Sequence, residues 1–347
     1  MSIQTVTGEA SREELGIVLP HEHIFIYLLN QFTEPADPEK RRRTREPIRL
    51  SNYGALRRNP YALRDNLVIE DLEAQVREVQ AFRKAGGGAI VDCTSIGLRR
   101  APLKLREVSR RTGVRVISGC GYYTYDTHPA DMDSRTAESL ADDIVRDLTE
   151  GMDGTGVRAG VIGEIGTSDP IRPNEVKSLK AAALAHRRTG APLQIHTYPW
   201  GRTGLEAIRI LAEGGVPPAR IVICHVDVEI HLDYIRDLLR AGVYVEFDNF
   251  GKEFYIDAAD RVGFTGGMFE RDLDRVRALK ALAEEGFDRQ LLVTNDICLN
   301  QMLLRYGGWG YGHILNHIKP MMADVNLPQE SAELILRDNP LDWLCPR

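Results

Sequence analysis

The chain has 347 residues, 43% of them hydrophobic and 27% charged, with a net charge of −6: ordinary globular composition and enough chain for a large core. The acidic balance argues against a nucleic-acid binder, and the absence of an apolar run of 18 residues or a basic-then-apolar leader argues against membrane spanning and secretion. Five scattered cysteines without a CxxC pair speak against a cysteine zinc knuckle and for a reducing cytoplasm.

Residues 1–15 read as a short polar lead-in, a hairpin, before the apolar run Gly16–Pro20, which reads as a buried strand. His21-Glu22-His23 follows it. Strand side chains alternate, so His21 and His23 face one side together and Glu22 the other. Two imidazoles so placed can hold a metal cation from one face. The segment 24–68 that comes next is long, irregular and rich in Pro, Asn and Arg. Its run Lys40, Arg41, Arg42, Arg43 and Arg45 has the pattern of a solvated loop. Its functional alternative is a lid that attracts an anionic substrate.

From Ile69 onward strands and amphipathic helices alternate. Apolar residues at helical spacing, Leu72, Val76 and Val79, precede the strand Ala89–Cys93. A helix near 101–112 precedes the strand Val114–Ser118, and helices marked by Leu140 and by Leu179 flank the strand Gly160–Ile165. The strands Pro192–His196, Ile221–His225, Val243–Phe247 and Leu291–Asp296 are separated by helices near 203–213, 231–240 and 270–286. Strict alternation implies a parallel sheet. Eight repeats in one chain of this length favour a single closed (β/α)8 TIM barrel, domain 1–347, with 24–68 as a long insertion after the first strand, over the active-site mouth.

Polar residues fall at the ends of these strands. His21 and His23 end the first, Glu164 the fourth, His196 the fifth, His225 the sixth and Asp296 the eighth. In barrels of this kind the C-terminal strand ends meet at one mouth. Alone, each residue has an ordinary structural explanation; together they form a metal-ligand set. Four imidazoles and two carboxylates suit two divalent ions better than one.

This ordered set resembles the phosphotriesterase-related branch of the amidohydrolase superfamily. The resemblance extends over nearly the whole chain, through Leu19–His23, Gly163–Gly166, Gln194–Thr197, Asn295–Ile297 and the tail Tyr306–Leu315. It implies that His21, His23 and Asp296 bind one metal, His196 and His225 the other, and that Glu164 bridges them. Members that degrade organophosphates use a carboxylated lysine as the bridge. Glu164 therefore places the chain beside the glutamate-bridged subgroup of lactone, carboxylester and N-acyl amide hydrolases, and makes phosphotriester hydrolysis a side activity at most.

Two cations sharing one water lower its pKa toward neutrality and polarise a carbonyl. Asp296 is the natural group to take the proton and pass it to the leaving group. No GxSxG elbow argues for a serine nucleophile, and Cys224 and Cys298 read as small buried residues. Lys252 and Arg305 follow the seventh and eighth strands and are candidates to hold an anionic group of the substrate. Of Tyr122 and Tyr123 after the third strand, the resemblance to lactonase members implies that Tyr123 touches substrate. The expectation is a carboxylic ester or lactone hydrolase acting on a small molecule. An N-acyl amide hydrolase is the alternative within the class, and an inactive barrel acting as a binding protein the alternative outside it. Zinc is the expected metal, with manganese, cobalt and iron also suited to the ligands. A cytoplasmic setting is expected; the sequence leaves the oligomeric state open, a homodimer being the commonest outcome for soluble enzymes.

Overall fold

Eight strands carry the fold: β1 (Ile17–Glu22), β2 (Gly87–Asp92), β3 (Arg115–Cys120), β4 (Val161–Gly166), β5 (Leu193–His196), β6 (Ile221–Ile223), β7 (Tyr244–Phe247) and β8 (Leu291–Val293). They are seen in a computed structural model that describes residues 2–346. Met1 and Arg347, the ends of the expected domain, lie outside the described residues. Neighbours in sequence are neighbours in the sheet, all parallel. The last strand returns to the first: Thr294 Oγ1 and Asp296 N both donate to the His21 carbonyl, at 2.9 and 3.3 Å. The result is a (β/α)8 barrel.

The helices between strands follow the expected order: α1 (Leu72–Lys84), α2 (Pro102–Thr112), α3 (Ala137–Thr149), α4 (Pro173–Thr189), α5 (Gly204–Glu213), α6 (Leu232–Arg240) and α7 (Asp272–Glu284). Asp71 caps α1 by accepting from Ala74 N, and Thr136 caps α3 by accepting from Ser139 N. The expected hairpin is present, Ser2–Thr5 pairing with Gly8–Ser11. Helical segments 314–324 and 329–344 follow the barrel.

Alternation along the strands divides the core. Val18, Ala89, Val91, Val161, Val222 and Leu292 fill the barrel, closed from below by Trp343 and Leu344. Leu19, Ile90, Val116, Ile162, Ile195, Ile223, Val245 and Val293 face the helices. Two irregularities break that alternation, and both re-aim site residues. Pairing of β1 with β2 shifts register between Leu19 and Glu22, and pairing of β4 with β5 shifts between Ile162 and Ile165. Without the first shift His21 would share the helix side with Leu19. Bulges of this kind redirect side chains. At Gly163, in the second, φ is 149° and a Cβ would lie 2.5 Å from the Gln194 carbonyl oxygen, so only glycine fits.

The insertion 24–68 is pinned at its ends by Ile26–Tyr27 pairing antiparallel with Val68–Ile69. It carries two short helices, Pro38–Arg43 and Tyr53–Arg58. Among the described residues no helix is long and apolar enough to cross a membrane.

Candidate metal centre

The six sequence-selected residues meet at the C-terminal mouth of the barrel, all buried. Glu164 stands between two groups. Its Oε2 lies 3.7 Å from His21 Nε2 and 4.0 Å from His23 Nε2. Its Oε1 lies 2.8 Å from His196 Nδ1 and 2.9 Å from His225 Nε2. Asp296 Oδ1 completes the first group, 3.2 Å from His23 Nε2 and 3.7 Å from His21 Nε2. In the second, His196 Nδ1 and His225 Nε2 are only 2.9 Å apart. Imidazole nitrogens this close need a proton or a cation between them.

The outer nitrogens of three histidines are tied down. His21 Nδ1 meets Glu246 Oε2 at 3.0 Å, His23 Nδ1 meets Thr94 Oγ1 at 2.9 Å and His225 Nδ1 meets Asp248 Oδ1 at 3.0 Å. Such partners fix which ring nitrogen points at the site. Glu246 sits on β7 beneath the centre, where Gln194 Nε2 and Cys224 Sγ also donate to its Oε2, at 2.8 and 3.3 Å. Sequence reasoning missed Glu246 and Asp248. The available signal was two acids at alternate positions, Glu246 within the otherwise apolar β7 and Asp248 just after it.

Backbone geometry contributes as well. His225 and Asp296 hold φ values of 61° and 47°, left-handed conformations unusual for non-glycine residues. β6 and β8 therefore stop at Ile223 and Val293, short of the expected Ile221–His225 and Leu291–Asp296, because the ligand residues leave the strands. His225 N donates to Asp248 Oδ2 at 2.9 Å, which holds one of these turns. Glu22, on the opposite side of β1 from the two histidines, holds the other. It accepts from Thr294 Oγ1, Asn295 N, Asn295 Nδ2 and Ile297 N, all within 2.9 Å, and so clamps the residues flanking Asp296.

Electrostatics follow from burial among carboxylates. Burial opposes charge on His21, but Glu164, Asp296 and Glu246 outweigh it and raise its pKa to about 10. Burial likewise opposes charge on Glu164, yet the surrounding histidines hold it well below the usual carboxylate range. Asp296 is lowered too, against burial, chiefly by Lys252 and His21. Asp248 goes the other way, burial lifting it to about 7 despite His225.

A metal fits these residues. His21 Nε2 and Asp296 Oδ1 are fully buried without a hydrogen-bond partner, and both face the space between the ligand groups. His21, His23 and Glu164 form one cluster with ligand atoms within 4.8 Å, and Glu164, His196 and His225 another. Imidazole and carboxylate are the donors divalent first-row metals and zinc take.

Tyr123 and Lys252 reach the same cavity. Tyr123 Oη is 3.2 Å from His196 Nδ1. Close approach makes this possible: a Cβ on Gly166, at the end of β4, would lie 2.3 Å from the Tyr123 carbonyl carbon. Lys252 Nζ bonds Asp296 Oδ2 and lies 3.2 Å from Asn249 Oδ1, so it is committed to a ligand carboxylate. Arg305 is not brought to the site. Its Nη1 pairs with Asp71 Oδ2 at 2.8 Å on the outside, because Glu78 accepts from Arg305 N and turns the segment away.

Comparison with known proteins identifies a family. The profile of the phosphotriesterase family matches residues 1–344. An N-acetyltaurine hydrolase of Danio rerio is 38% identical over 346 residues, covering 99% of this chain and 97% of that protein. A resiniferatoxin-binding protein from Rhodobacter sphaeroides superposes with a TM-score of 0.94 at 33% identity, covering 99% of this chain and 94% of the other. A lactonase from Listeria monocytogenes superposes with a TM-score of 0.80 over the full length of both chains; at 24% identity it shares the fold.

Proposed function

Since this chain belongs to the phosphotriesterase family, and is a metal-dependent hydrolase, we propose that it uses two divalent cations to cleave a small N-acyl amide bearing an anionic group. Support for two cations is the placement of Glu164, whose two oxygens each face a separate ligand group. His21, His23 and Asp296 would hold one cation and His196 and His225 the other, with Glu164 shared. Zinc is the first expectation. Cations bound there supply polarisation of the scissile carbonyl and a lowered pKa for water.

The remaining work falls to side chains. Asp296 takes the proton of the attacking water and returns it to the departing amine. Lys252 keeps that carboxylate ionised until it does so. Tyr123, beside His196, borders the acyl carbon, and Leu28, Phe264 and Phe269 wall the cavity against bulk water.

One observation carries the amide reading over the ester or lactone expected first: the relative that acts on N-acetyltaurine matches this chain end to end, whereas the lactonase shares only the fold. A panel of N-acetyl amino sulfonates, N-acetyl amino acids, simple esters and lactones tests it on metal-loaded enzyme. The expected result is kcat/KM highest for an anionic N-acetyl amide. A lactone or ester preferred at least tenfold would overturn the reading. Asp296→Asn is expected to lose about 100-fold or more in kcat while staying folded.

A further inference from the structure

Two spaces adjoin at the mouth. The inner one, lined by five of the six ligand residues, encloses only about 40 Å³ and is lined as well by Ile26, Leu28, Leu98, Phe264 and Phe269. The outer one encloses about 310 Å³ between the insertion and the loop joining β7 to α7. Gln31 and Tyr61 line both and form their common boundary.

The outer lining holds three cations, Lys40, Arg43 and Arg58, against two acids, Asp257 and Asp260, and the cations are not equivalent. Lys40 Nζ bonds Asp260 Oδ1 at 2.8 Å and Arg58 pairs with Asp257, two struts that join the insertion to the β7–α7 loop. Arg43 is different. Its nearest acid, Glu46, is 3.6 Å from Nε, beyond hydrogen-bond distance, and its side chain is half exposed. Its guanidinium is therefore held only by an ion pair within its own segment, with no hydrogen bond across to the loop, on a wall of the outer space. The segment 24–68 holds nine Lys and Arg against five Asp and Glu in a chain of net charge −6, which makes this the electropositive part of the molecule.

Resting on the amide reading above, we infer that the outer space is the leaving-amine subsite and that Arg43 selects an anionic end there, a sulfonate or carboxylate. The charge of an N-acyl amino acid or amino sulfonate lies on its amine part, which matches the net positive outer lining. Its acyl methyl matches the apolar part of the small inner lining. A planar guanidinium fork meets two oxygens of either anion. Specificity is thus strict for acyl length and loose for the length of the amine part.

The test uses the full metal-loaded chain and two substrate series. In one, acetyl, propionyl, butyryl and hexanoyl are joined to 2-aminoethanesulfonate; in the other, acetyl is joined to amines of two to four carbons ending in sulfonate or carboxylate. Lengthening the acyl group from acetyl to butyryl is expected to lower kcat/KM roughly tenfold or more, as overfilling a pocket does. Lengthening the amine changes it less than about threefold. Arg43→Ala is expected to raise KM for the anionic amides about tenfold with kcat kept within about twofold, and Arg43→Lys to recover part of the loss. Arg42→Ala, one residue along and outside the lining, is the control. Amide turnover with KM indifferent to Arg43, or with long acyl chains accepted, overturns this inference alone. Turnover of esters but of no amide overturns the amide reading, and this inference with it.

Discussion

His21 is gripped from both ends. Nε2 is aimed into the centre and Nδ1 is backed by Glu246, the arrangement by which a carboxylate orients a ligand histidine and raises its basicity. Glu246→Gln is therefore expected to weaken cation binding about 10- to 100-fold in a chelator competition. Stability of the chelated variant is expected to fall as well, since protonated His21 loses one of the carboxylates that stabilise its charge. Unchanged affinity with lowered stability would reduce Glu246 to packing. Protonation gives a second prediction. With its folded pKa raised from 6.5 to about 10, His21 contributes stability that is full below pH 6.5 and lost as pH rises through 10. A bound cation displaces that proton, so it stabilises more as pH rises. Melting curves of chelated protein should shift down between pH 7 and 10 while those of loaded protein hold. A flat profile for the chelated form would contradict this.

Among the elements, β1 and β8 are coupled through one carboxylate. Glu22 accepts four hydrogen bonds from residues 294–297, on either side of Asp296. Glu22→Ala strands those buried donors and is expected to cost about 3 kcal/mol in denaturant unfolding. Amide exchange is expected to speed up at residues 295–297; protection equal to wild type there would contradict the clamp. The sequence showed that His21 and His23 share a side and Glu22 does not. It did not show that a register shift after Leu19 turns them inward, because a bulge has no fixed residue signature beyond occasional glycine. The Gly163-Glu164 pair was the one legible hint, at the second shift. The last residues of the sixth and eighth strands were read as extended because their composition is that of a strand. The left-handed turns at His225 and Asp296 depend on partners, Asp248 and the His21 carbonyl, that lie far away in sequence.

For the whole molecule, the rhythm of strands and helices was enough to specify the barrel, and barrel topology alone gathers residues from five strands at one mouth. Long-range side-chain choices were less legible. Arg305 follows β8 as an anion-site residue would, but Asp71, at the start of α1, takes its charge. The insertion read as a solvated loop, yet its Lys40 and Arg58 are fixed by acids from the β7–α7 loop. Both outcomes depend on which acid lies nearest in space, which spacing does not reveal. The central claim is that Glu164 is shared by two cations, and elemental analysis of purified protein beside Glu164→Ala tests it most directly. Two divalent ions per chain in the wild type, falling to one or none in a folded variant, is the predicted result. A single ion in the wild type, or two retained without Glu164, would contradict it.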